Sequence, residues 1–75
     1  MSFETRSTDD LVRIAEAGAG FRLDVVGRSL DDLVRIAKAA SDWGVRLYFA
    51  GVGGYSTDDL LRIAAAGEGC VEFEA

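Results

Sequence analysis

The sequence predicts an α/β fold, a βα-repeat of the form βαβαβαβ with a four-stranded parallel sheet in order 1-2-3-4 and three helices on one face, like a solenoid or an arc of a barrel. Three observations lead there. A helix-forming segment recurs three times, stretches of alternating apolar and polar residues lie between the copies, and the connections are short enough to force consecutive crossovers.

The helical segment runs Ser7-Thr-Asp-Asp-Leu-Val-Arg-Ile-Ala-Glu-Ala-Gly18. It returns from Ser29 to Ala40 and again from Ser56 to Gly67. The first and third copies differ only at Val12/Leu61 and Glu16/Ala65, which points to recent duplication or to deliberate design. Each copy opens with a residue suited to cap a helix, Ser7, Ser29 or Ser56. An aspartate follows three positions on (Asp10, Asp32, Asp59) in a short-acid version of the capping box, and the paired aspartates suit the positive end of the helix dipole. Leu11, Ile14 and Ala15 share one face, as do Leu33, Ile36, Ala37 and Leu60, Ile63, Ala64, so each helix buries one stripe. Gly18 and Gly67 read as stops. The middle helix has Ala40 there and is expected to continue through Ser41 and Asp42 to Trp43, ending at Gly44.

Between the helices the period falls to two. Phe21, Leu23 and Val25 alternate with Arg22, Asp24 and Val26, and Val45, Leu47 and Phe49 alternate with Arg46, Tyr48 and Ala50. Counting back from each serine, with the Val52-Gly53-Gly54 insertion removed, makes Phe3, Val25 and Phe49 equivalent, so a first strand holds Phe3 and Glu4. The last strand holds Val71 and Phe73 inward and Glu72 and Glu74 outward. The opposite phase, with Cys70, Glu72 and Glu74 inward, would bury two carboxylates and is rejected.

Strands that alternate, rather than reading as continuous apolar runs, carry helices on one face only. Residues 1–75 form a single domain with a small core, worth about 3–5 kcal/mol of net stability at this size. The two terminal strands leave their edges open, and neither carries the lysine, proline or bulge that blunts an edge. The resemblance of Ser2-Phe3-Glu4-Thr5 to Glu72-Phe73-Glu74-Ala75 predicts that the last strand of one copy lies beside the first strand of the next, through Phe3, Glu4, Val71, Glu72, Phe73 and Glu74. Such a contact closes into a ring or runs on as a filament. If two copies closed a barrel, Arg22, Asp24, Arg46, Tyr48, Glu72 and Glu74 would face inward and need mutual pairing; otherwise they belong on a solvated sheet face.

A net charge of −5 and a pI near 4.4 argue against nucleic acid as a partner. With no histidine and one cysteine, the usual general base, an internal disulfide and multi-cysteine metal sites are excluded. No apolar run is long enough for a membrane span and no signal peptide is legible, so a cytoplasmic protein is expected.

Gly51, Gly53 and Gly54 follow a strand and precede a helix, where glycine-rich loops cradle phosphate. The spacing matches neither the dinucleotide fingerprint nor a P-loop, and Asp58 and Asp59 would repel an anion. The bland reading is a flexible turn or contact loop with Tyr55 exposed. The aspartate pairs are explained by capping rather than by a metal. Arg13, Arg35 and Arg62 each stand three residues beyond the N3 aspartate, the spacing of a weak pair within a helix. Cys70 reads as a buried or half-buried thiol rather than a nucleophile, and Trp43, Tyr48 and Tyr55 are the candidate partner contacts. The expectation is a non-enzymatic self-assembling or protein-interaction module. It has no catalytic residues, cofactor or metal, and the alternative is a small-ligand or nucleotide-phosphate binder at the Gly51–Gly54 loop.

Overall fold

A computed structural model describes residues 6–74. In chain order these form α1 (Thr8–Glu16), β1 (Phe21–Asp24), α2 (Leu30–Trp43), β2 (Leu47–Ala50), a 3₁₀ turn (Val52–Gly54), α3 (Thr57–Gly67) and β3 (Val71–Phe73). The three strands are parallel in the order β1-β2-β3. The fourth expected strand, with Phe3 and Glu4, lies outside the described residues. β1 and β3 do not meet, so the described sheet is open.

Each helix starts as its serine dictates. The Oγ atoms of Ser7, Ser29 and Ser56 accept from the amides of Asp10, Asp32 and Asp59 at 3.1, 3.2 and 3.1 Å. One such cap is worth about 1 kcal/mol. The reciprocal half of the box is missing, because an aspartate is one methylene shorter than the glutamate that reaches back to the cap amide. α2 runs to Trp43 and stops at Gly44, whose φ of 68° lies in the left-handed region that glycine tolerates.

Gly67 departs from the expectation of a stop. It is the last residue of α3, and Glu68 takes the left-handed position with φ 47°. Packing explains the displacement. A Cβ on Gly67 would stand 2.6 Å from Val71 Cγ2 and 3.7 Å from Ala37 Cβ, so this glycine is where α3 passes close to both β3 and α2. The longer helix also absorbs the extra residue that shifts the last strand out of phase, which leaves Val71 and Phe73 packed against the core and Glu72 in solvent. Gly20 is a second close approach, since a Cβ there would lie 2.2 Å from the Arg46 carbonyl oxygen where β1 begins beside β2.

One cluster contains Leu11, Leu33, Ile36 and Ile63 from the helices with Phe21, Leu23, Leu47 and Phe49 from the strands and Val25 just after β1. All three helices therefore cover the same sheet face. The ladder pairs Leu23, not Val25, with Phe49, a two-residue correction to the equivalence counted from the serines. An even shift keeps the inward set unchanged. It arises because Val52 is not a simple insertion: the 3₁₀ turn drives its side chain into the core, where it is buried.

Successive repeats are joined by a device one residue before each cap. Arg28 donates through its guanidinium to the Arg6 carbonyl at 2.6 Å and to Thr8 Oγ at 3.2 Å, and Tyr55 donates its hydroxyl to the Arg28 carbonyl at 2.9 Å and the Val25 carbonyl at 3.2 Å. Arg6, Arg28 and Tyr55 occupy equivalent repeat positions. In both seams the later repeat's side chain holds the earlier repeat's backbone.

Candidate functional site

Among the described residues β3 pairs with β2 alone. Cys70 O accepts from the Leu47 amide at 2.8 Å, and the Glu74 amide donates to Phe49 O at 2.8 Å. In a parallel ladder the intervening residues turn their polar groups the other way. The N–H and C=O groups of Val71 and Phe73 therefore point away from β2, along an edge with no neighbouring strand among the described residues. The candidate residues Val71, Glu72, Phe73 and Glu74 thus come together on one open edge. Val71 and Phe73 rest half-buried on the core, and Glu72 projects from the outer face. Phe3 and Glu4 lie outside the described residues.

The outer sheet face carries the alternate residues. Arg46 meets Glu72 at 3.0 Å, and Arg22 reaches across β2 to Glu74 at 3.3 Å, while Tyr48 lies between these pairs, 40% exposed. These charges pair while remaining half-solvated, so each contributes little to stability, about 0–1 kcal/mol. Their larger effect is to leave this face nearly neutral around one tyrosine. The described face lies open to solvent and does not form a closed interior.

Trp43 is 58% exposed at the end of α2 and remains available to a partner. Tyr55 does not. Its hydroxyl is bonded to two backbone carbonyls and its ring packs on the core, which corrects the expectation of an exposed contact residue. Burial pushes its phenol above the ordinary value, and the charge of Asp59 adds to the shift. The Gly51–Gly54 loop is correspondingly fixed at several points. Val52 is buried and its amide donates to the Glu74 carbonyl at 3.4 Å, while a Cβ on Gly51 would lie 2.7 Å from the Asp24 carboxylate. Gly53 and Gly54 are exposed. A carboxylate beside the loop opposes the phosphate-cradle reading, and the hydrogen bonds account for the loop's shape without a ligand.

The arginine row also differs from expectation. Arg35 does not pair with Asp32 on its own helix; it donates to Asp9 of α1 at 2.8 Å. That hydrogen bond, followed by the charge of Asp9, raises the guanidinium above its usual value. Arg13, one turn beyond Asp9 on α1, lines with Arg6, Asp10, Ile14 and Ala17 a groove of about 350 Å³. Reading the chain repeat by repeat holds the signal for both features, because Arg13 is the equivalent of Arg35 and Asp58 the equivalent of Asp9. Cys70 is half-buried against the core. Among the described residues no cluster of carboxylates and thiols suits a metal ion, and no helix is long and apolar enough to cross a membrane. Comparison with protein-family models, with curated proteins and with solved structures finds no significant match to the chain.

Proposed function

We propose that this chain is a non-enzymatic self-assembly module whose β3 edge joins the N-terminal end of another copy, extending the sheet from copy to copy into an arc, ring, barrel or filament. The observation that carries this reading is the row of outward backbone groups at Val71 and Phe73, with no lysine, proline or bulge to blunt it. The likeness of Ser2-Phe3-Glu4 to Glu72-Phe73-Glu74 in sequence supports it. The contact is heterologous, so closure depends on the rotation per copy. A four-stranded unit, with Phe3 and Glu4 in its first strand, belongs to the same proposal. The surface position of the described carboxylates and the lack of histidine support a binding rather than a catalytic role.

Sedimentation velocity from micromolar to millimolar concentration tests the proposal. Proline at position 71 removes an outward N–H while sparing the Cys70 and Glu74 bonds to β2, so Val71→Pro is expected to lower the assembled mass while the far-UV spectrum stays native. A wild-type chain that remains monomeric throughout, or a folded Val71→Pro chain that assembles as well as wild type, overturns it.

A further inference from the structure

The helix layer carries a second, more specific half of the contact, on surfaces distinct from the strand edge. The side of α2 facing α1 is built from Arg35, Ile36 and Ala39, together with Arg28 just before the cap. Arg28 and Arg35 hydrogen-bond to α1, and Ile36 and Ala39 are buried. The equivalent residues of α1 are Arg6, Arg13, Ile14 and Ala17, and all four line the open groove. The groove is the side of α1 that corresponds to the side of α2 covered by α1, and among the described residues no helix covers it.

The other end shows the converse. Leu11 and Ala15 on α1, and Leu33 and Ala37 on α2, are fully buried on the side that the next helix covers. The spacing between Ala37 and Gly67 fixes that side as the one facing forward. The equivalents on α3 are less covered: Leu60 is only half-buried and Ala64 is exposed, while Leu61, the counterpart of the half-buried Val12 and Val34, is 60% exposed. Asp58, the counterpart of Asp9, is exposed beside them.

We infer that the occupant of the α1 groove is α3 of a second copy, docked head to tail as α1 docks on α2 within the chain, with Asp58 of one copy meeting Arg13 of the next as Asp9 meets Arg35. Charge complementarity and the internal α1–α2 contact both support this choice. The second internal position, Asp31 with Arg62, is not closed to ion-pair distance, so the apolar contact does most of the holding. This inference rests on the self-association reading and adds a constraint to it. The sheet advances one strand for each helix. A junction with α3 on α1 therefore has one strand position, so β3 of one copy pairs there with β1 of the next and displaces the first strand that Phe3 and Glu4, similar to it in sequence, are proposed to form in a lone copy.

Sedimentation velocity on the full chain at low salt tests it with Leu61→Glu, Arg13→Glu and Asp58→Lys, all at exposed positions, with native far-UV spectra required of each. Leu61→Glu is expected to weaken association at least about tenfold, and each charge reversal about fivefold. An equimolar mixture of Arg13→Glu with Asp58→Lys is expected to associate more tightly than either alone, because every junction of an alternating stack then joins opposite charges. If wild type assembles and these variants match it in mass, with no gain on mixing, the helix contact is wrong. Should Val71→Pro disrupt assembly in that case, the strand reading stands alone; a wild-type chain that never assembles removes both.

Discussion

Replacing Gly67 by alanine sets two opposing effects against each other at one atom. In favour, alanine is a better helix residue than glycine by about 1 kcal/mol. Against it, the new Cβ would stand 2.6 Å from Val71 Cγ2 and 3.2 Å from Val71 Cβ, where carbon atoms normally rest about 3.5–4.0 Å apart. A valine in a strand has little rotamer freedom to withdraw, and overpacking of this kind costs about 1–3 kcal/mol. Gly67→Ala alone is therefore expected to destabilise the fold by about 0–2 kcal/mol. Removing the two γ-methyls reverses the sign, because the remaining 3.2 Å contact needs only a few tenths of an ångström of relief. Within a Val71→Ala background the same substitution is expected to stabilise by up to about 1 kcal/mol, a coupling of about 1–3 kcal/mol between the two positions. Urea denaturation followed by far-UV circular dichroism, at one low concentration so that assembly does not shift the midpoint, measures all four corners of the cycle. Equal stabilisation in both backgrounds would show that Val71 does not pack on Gly67. Equal destabilisation in both would put the conflict in the backbone.

Two further substitutions follow from the loop and helix ends. Tyr55→Phe removes the hydroxyl shared by Val25 and Arg28 and is expected to cost about 1 kcal/mol in a urea titration near neutral pH. It also alters the alkaline limb. A phenol whose folded pKa is raised contributes stability that is complete below its unfolded value, about pH 10, and is lost as pH rises through the folded value. Wild type should therefore weaken above about pH 10 more steeply than Tyr55→Phe, and parallel limbs would refute this role. Glu68→Gly relieves a left-handed backbone at a non-glycine residue, against the loss of an exposed bond from Ser41 Oγ. A net gain of about 0.5–1 kcal/mol is expected, read as a higher melting temperature; a loss would mean that the Ser41 contact outweighs the strain.

Much of this architecture was legible because it depends on local rules. The serine caps, the end of α2 at Trp43, the parallel order and the inward position of Val71 and Phe73 each follow from short-range spacing. The misjudged features depend on contacts between repeats. Gly67 resembles Gly18 in sequence, yet α3 continues through it because Val71 and Ala37 crowd that side. Tyr55 looks like a loop tip until its hydroxyl is seen to lie against the carbonyls of Val25 and Arg28. The Leu23–Phe49 register was hidden because Val52 enters the core instead of looping out. On the candidate site, Val71 through Glu74 were found from the open end of the repeat, whereas the α1 groove and the flank of α3 emerged only once the structure showed which side of each helix its neighbour covers.

The seams between repeats hang mainly from main-chain carbonyls, of Arg6 (beside the Thr8 hydroxyl) in one case and of Val25 and Arg28 in the other. A peptide oxygen survives any substitution at its own residue, so an ancestral unit copied in tandem would bring a ready acceptor with it however far its side chains drift. Inheritance need preserve only a donor of suitable reach in the following copy. That tolerance accommodates both arginine and tyrosine, and it would let a gene lengthen by further copying without reinventing the joint.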